Sequence, residues 1–444
     1  MLLGNYSAVS VNWFRVRLLA LFSVLLTWIL SYIIGLLDTQ YDDRASDRGW
    51  IVRLILTLLG YASVVFPSYI LIRHVKRQKA SPLDGWLGQL VNSLVFGDES
   101  EEAVKDSITK EKTPYQEATM LLFCFTGLQV SYLTWGILQE RIMTIKYTGS
   151  DGVSEKFTDS QFLVFVNRIL AFAISGTYLI LQGRPAHRTP LYKYAYCSIS
   201  NSLSSWCQYE ALKFVSFPTQ VLAKSAKVIP VMLMGRIVSQ STYKTYEYGA
   251  AILISIGMAG FLMGSSANKS DTVTTLSGVF LLCGYLVFDS FTANWQGTLF
   301  KQYKPSSVQM MCGVNLMSVI FTSASLIQQG GFSYSLQFAL KYPPFIMDCL
   351  LTAVTSATGQ LFIFLTISHF GAVVFTIIMT IRQGLSILLS VVRYGHPITV
   401  MGVIGIVTVF IGVLLRTFYG YDDKKKTREI QKSSLAKAGD VLSV

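Results

Sequence analysis

Three cations stand near mid-depth in segments that are otherwise mostly apolar and small. Lys224 and Lys227 interrupt the run Pro218–Val238, and Arg382 interrupts Gly371–Val392. At the centre of a bilayer a lysine or arginine costs about 2.5–3.5 kcal/mol on the insertion scale. Each therefore needs an anionic partner or an inward aqueous cavity. Lys224 and Lys227 are spaced i, i+3, and Gln220 precedes Lys224 by four, so all three share one helical face. Arg382 lies about eleven residues into its own run, at a depth that matches Lys224. Two ammonium groups and a guanidinium able to bind two oxygens at once form a set suited to phosphate or sulfate. The plainer alternative is a pair of structural ion pairs. Asp289 is the one mid-span acid available and Glu210 lies near a span end, so the acids do not balance three cations.

Other polar residues inside apolar runs say less. Gln129, Tyr132 and Trp135 follow one another along one segment, where they either face a cavity or, for the aromatics, anchor at an interface. Asn294, Gln296, Asn315 and Gln360 either line a cavity or bond between helices. Gln383 directly follows Arg382. The six Cys sit in apolar runs without CxxC spacing, so neither a disulfide frame nor a metal site is expected. The four His lie near span ends, and no P-loop, HExxH or GxSxG pattern occurs. An enzyme has no foothold here, and no cofactor is implied.

These residues must be held by a membrane fold. Of 444 residues 52% are apolar and 14% charged, against about 25% charged in soluble domains, and mean hydropathy is +0.46. A crossing helix needs about 20 mostly apolar residues. That ruler picks out Leu18–Leu37, Leu54–Ile72, Ala118–Leu138, Gln161–Leu181, Leu191–Cys207, Pro218–Val238, Gly249–Gly264, Leu276–Trp295, Ser307–Ile327, Pro344–Leu365, Gly371–Val392 and Pro397–Leu415. The expectation is an all-α polytopic membrane protein with about twelve crossings. The net charge of +12 sits mostly in alternate connections and in the tail with Lys424, Lys425 and Lys426. Such clusters stay cytosolic, so both termini are expected in the cytosol and no nucleic-acid partner is needed.

The spans sort into an N-terminal pair (1–80), a cytosolic linker (81–115), two core repeats (116–265 and 276–416) and a basic tail (417–444). The linker reads as a mobile connection with one apolar piece, Trp86–Phe96, and Asn268-Lys269-Ser270 reads as a glycosylation sequon in a lumenal loop. The repeats are alike in position more than in identity. Each has a Phe-led run that reaches cations about a dozen residues on, and then a Gly-spaced helix: Gly249, Gly257 and Gly260 in one, Gly402, Gly405 and Gly412 in the other. Five spans per half make the second copy insert upside down. The ten-helix core is then two inverted five-helix repeats, with cargo bound at their interface near the midplane.

Gln220–Gly235, QVLAKSAKVIPVMLMG, resembles the nucleotide-sugar transporter family of the drug/metabolite transporter superfamily, in its B branch. The likeness runs from about Leu121 to Leu415 and includes SSWCQYEALKFVSFPTQVLAKSAKVIPVMLMG, FDSFTANWQ and FGAVVFTIIMTIRQ. Within that branch it is greatest to carriers of adenosine 3′-phosphate 5′-phosphosulfate (PAPS). The resemblance implies movement of PAPS from cytosol to Golgi lumen, for use in sulfation, in exchange for a returning adenine nucleotide. It implies that Lys224, Lys227 and Arg382 contact cargo phosphates, whereas Gln383 stands where endoplasmic-reticulum relatives carry a further cation. Gln220, Gln129, Tyr132, Gln360, Gln383 and Asn294 complete the candidate cargo-binding set. The C-terminus, Asp440-Val-Leu-Ser-Val, lacks a dilysine signal, which points to the Golgi membrane. The expected partners are PAPS, an adenine nucleotide, membrane lipid and a second copy as a homodimer. ATP or a UDP-sugar is the alternative cargo.

Overall fold

A computed structural model of the chain describes residues 16–34, 49–78, 86–97, 114–265, 276–328, 331–394 and 400–420, apart from 150–151, 153, 158–159, 184, 186, 212–213, 216–222, 225–226 and 417. Helix dominates because hydrocarbon offers backbone N–H and C=O groups no partner, and a helix satisfies them internally. Among the described residues eight helices are long and apolar enough to cross a membrane: Val16–Ile34, Trp50–Arg77, Tyr115–Gln139, Gln161–Leu181, Leu276–Tyr303, Ser307–Gln328, Pro343–Arg382 and Val400–Gly420. The protein is an all-α polytopic membrane protein.

The remaining expected crossings also fall on helix. Leu191–Cys207 lies within Tyr192–Ala211, which is rich in Ser and Tyr, and Gly249–Gly264 lies within Thr245–Ser265. The C-terminal half of Pro218–Val238 is the shorter helix Val228–Val238. Pro344–Leu365 and Gly371–Val392 share one element, Pro343–Tyr394, broken at Gly371 with φ 82° and ψ 171°. That backbone region is open in practice to glycine alone, so two helices abut there without a loop.

Contacts divide the chain into two compact units, Met1–Trp206 with Trp295–Ala372, and Cys207–Asn294 with Val373–Val444. In the first, Ser307–Gln328 is the central helix, buried from Gln309 to Leu326 and packed on Ser160–Leu181 and Gly49–Gln78. Pro114–Thr144 runs antiparallel to the 343–370 helix: the Phe362 ring lies over Gly127 and the Tyr132 ring over Gly359, where an added Cβ would come within 2.3 and 2.8 Å of ring carbons. One end of this unit carries a two-stranded antiparallel hairpin, Lys146–Thr148 with Ser154–Lys156, over Phe157, Phe162, Phe338, Tyr342 and Phe345. Tyr147 donates from its hydroxyl to Asp348 at 2.9 Å, and Lys341 pairs with Glu155 at 3.4 Å. Burial, and next the bond to Asp348, push the Tyr147 hydroxyl pKa up from its ordinary value.

At the other end the basic connections gather. Lys76 donates to the Tyr192 hydroxyl at 2.8 Å and Lys193 to that of Tyr303. The Trp86–Phe96 piece, expected within a mobile connection, is instead a docked helix over Trp86–Val95. It buries Val91 and Val95 with Val75 because its apolar residues fall on one face. Its end is fixed by Gly97, whose φ of 76° and closeness to the Arg188 carbonyl exclude a side chain. In the second unit the two Gly-spaced helices meet. Gly257 brings Thr245–Ser265 so close to Val400–Gly420 that an added Cβ would lie 2.8 Å from the Gly405 carbonyl oxygen, the close approach small residues permit in membranes. The 98–113 stretch, the sequon and the basic tail lie outside the described residues.

Candidate functional site

The second unit assembles the three cations from segments far apart in sequence. Lys227 caps the helix Val228–Val238: its carbonyl accepts from the Val231 N–H at 3.1 Å, and its own N–H bonds the Lys224 carbonyl at 3.3 Å. That helix has no acid in its first turn and no side-chain cap. Two ammonium groups thus sit at the end of a helix that already carries partial positive charge, an arrangement that favours an anion.

Leu276–Tyr303 supplies Tyr285 and Asp289, spaced i, i+4, and the 372–394 helix supplies Phe375 and Arg382, spaced i, i+7. Both pairs are at intervals that return to one face. Lys227 Nζ forms an ion pair with Asp289 Oδ2, with the two side chains 12% and 22% exposed. It also stands 5.9 Å from the centroid of the Phe375 ring. Lys224 Nζ stands 6.0 Å from the centroid of the Tyr285 ring, and Arg382, Lys227 and Asp289 lie within its Coulombic range. Aromatic faces stabilise a desolvated cation through their quadrupoles and leave its N–H donors available. The one mid-span acid named from sequence, Asp289, is thus a partner of Lys227. Asp289 neutralises one, and the cluster of three cations and this acid carries a formal charge of +2.

Asn294 is 3% exposed, and its amide donates to the Val231 carbonyl at 2.8 Å and to the Ser290 carbonyl at 2.9 Å. It ties the start of Val228–Val238 to Leu276–Tyr303 and so positions Lys227 against Asp289. Gln220 lies outside the described residues. Gln383 follows Arg382 on the same helix, with its side chain outside them.

Gln129, Tyr132 and Gln360 belong to the first unit. Gln129 is 7% exposed, and neither its amide nitrogen nor its amide oxygen has a hydrogen-bond partner among the described residues. Tyr132 packs against Gly359 and edge-on to Trp135, with centroids 5.9 Å apart. Gln360 accepts from Asn315 at 2.8 Å. Tyr285 and Phe375 were absent from the sequence-derived set. Their spacing from Asp289 and Arg382 was the available signal, but an aromatic in an apolar run is ordinarily read as packing.

Residues 120–419 match the UAA transporter family. The chain belongs to the UAA transporter family. Members are transporters, so this is a membrane carrier and not an enzyme. Among its relatives, "Adenosine 3′-phospho 5′-phosphosulfate transporter 1" of Drosophila melanogaster is 51% identical over 398 residues, covering 86% of this chain and 86% of that protein. The protein of the same name from Homo sapiens is 52% identical over 378 residues, covering 83% and 87%. "UDP-galactose/UDP-glucose transporter 5" of Arabidopsis thaliana is 35% identical over 334 residues, covering 74% and 94%. A solved crystal structure superposes with a TM-score of 0.51 at 10% identity, covering 68% of this chain and 97% of its own, a likeness of fold alone.

Proposed function

We propose that this carrier moves PAPS from the cytosol into the Golgi lumen in exchange for an adenine nucleotide, with both termini cytosolic. The observation that carries the reading is the +2 cluster of Lys224, Lys227 and Arg382 with Asp289. The names of the fly and human relatives support the choice of cargo. PAPS presents phosphate and sulfate oxygens to three cations. Arg382 grips two oxygens at once, and the lysines act as point charges. Asp289 serves as counter-ion to Lys227 whenever the cargo is away. Asn294 acts here as a positioning residue, and Gln220 and Gln383 flank the cations along the chain.

The core works as two inverted five-helix repeats that rock about the bound anion. Closing a dry cavity over two net positive charges is costly without an anion, which favours exchange over leak. Purified protein in liposomes preloaded with adenine nucleotide is expected to take up PAPS much faster than in empty liposomes. Equal rates would overturn the coupling. The Arabidopsis relative favours a second reading, a UDP-sugar cargo. Competition separates the two: unlabelled PAPS, and not UDP-galactose, is expected to block uptake.

A further inference from the structure

The family match begins at residue 120, yet the described residues 16–34, 49–78 and 86–97 belong to the first unit. Gly49–Gln78 lies along the central helix Ser307–Gln328. The Tyr61 ring meets Phe321 edge-on at 5.8 Å, and its hydroxyl hydrogen-bonds Ser202 of Tyr192–Ala211. Gly60 leaves room for Gln328, whose Oε1 would lie 2.7 Å from an added Cβ, and for Ser325. The Gln328 amide donates to the hydroxyl of Ser31 on Val16–Ile34. At the far end the Leu191 N–H donates to the Ser93 carbonyl at 3.3 Å, beside the Lys76–Tyr192 bond.

The two N-terminal helices are sorted by face. Thr27, Ser31, Thr57 and Ser63 are buried, whereas Leu18, Phe22, Leu25 and Ile29 are exposed. Apolar residues outward and polar residues inward is the arrangement of helices that meet lipid on one side and protein on the other. Without the pair, Ser202 and Gln328 would lose their hydrogen bonds to Tyr61 and Ser31 and present those groups to hydrocarbon, where unmet groups are costly.

We propose that Ser202, Phe321, Ser325 and Gln328 form a docking surface for a transmembrane helix pair with a polar inner face. In this chain its own helices Val16–Ile34 and Gly49–Gln78 occupy that surface, and the seam itself, not the covalent connection, holds the pair in place. The test uses the full-length chain with a protease site inserted into the charged 98–113 stretch, cleaved after purification in mild detergent. The two fragments are expected to co-elute, with a melting temperature within a few degrees of the uncut protein. Separation of the N-terminal fragment would overturn the proposal. Gln328→Ala and Gly60→Leu are each expected to release most of that fragment after cleavage, while Ile29→Ala on the lipid face releases none. If Gly60→Leu fails to yield folded protein, Gln328→Ala decides. Retention of the fragment by cleaved Gln328→Ala to the parent level would show that the seam does not hold it.

Discussion

Removing the Lys227 ammonium tests whether that charge serves the cargo or only its carboxylate neighbour. A pair of unit charges 4 Å apart at an effective dielectric of about 20 attracts by about 4 kcal/mol before desolvation is counted. Lys227 and Asp289 are 12% and 22% exposed, so water already offsets some of this. Breaking the pair by Lys227→Ala should then cost about 1–3 kcal/mol of stability, below the 3–5 kcal/mol of a fully buried pair. The same change removes a charge-assisted hydrogen bond to an anion, about 1.5–3 kcal/mol, or about 10- to 150-fold in Kd. Adding Asp289→Asn separates the two losses, because it removes the stranded carboxylate and not the missing donor. Melting temperature and PAPS Kd are measured on parent, Lys227→Ala, Asp289→Asn and the double variant. The double variant, whose formal charge returns to +2, should recover most of the stability but only part of the affinity, because the donor to the anion stays missing. Parental affinity in the double variant would refute the reasoning and leave Lys227 a structural residue.

Arg382→Lys keeps the charge and loses the planar fork, so PAPS affinity should fall about tenfold or more in a binding titration. Asn294→Leu removes two buried amide hydrogen bonds, to carbonyls that keep their intrahelical partners, and should lower stability by about 1–2 kcal/mol in thermal unfolding. Gly359→Val drives a branched side chain into the Tyr132 ring and should destabilise the first unit by about 1–3 kcal/mol, read as a lower melting temperature. Tyr147→Phe removes one hydrogen bond to Asp348 outside the membrane and should cost about 1 kcal/mol in melting, with uptake at the parental rate.

The spans were legible because a bilayer imposes one length and one composition on every crossing. Apolar runs from Gln161, Leu276 and Ser307 start within a residue or two of helices. The break at Gly371 was not, since its apolar run reads straight through and only the dihedral angles separate one helix from the next there. The hairpin at Lys146–Thr148 was missed because three-residue strands carry no readable alternation. Charge scarcity in apolar surroundings singled out Lys224, Lys227 and Arg382. It could not say that Asp289, 62 residues beyond Lys227, would be the acid to pair with it, because a charge count holds no geometry. Polarity alone left Asn294 open between lining a cavity and bonding between helices, and its amide donates to the Val231 carbonyl of a neighbouring helix. The N-terminal pair looked like an appendage because its inner polar residues, Thr27, Ser31 and Thr57, are too small to lower the hydropathy of their runs.

Equilibrium binding of PAPS to the purified carrier, measured side by side for parent, Lys224→Ala, Lys227→Ala and Arg382→Ala, bears most directly on the claim that these cations hold the cargo anion. Saturable binding by the parent and a loss of at least tenfold in each folded variant are expected. Parental affinity in all three would contradict that claim.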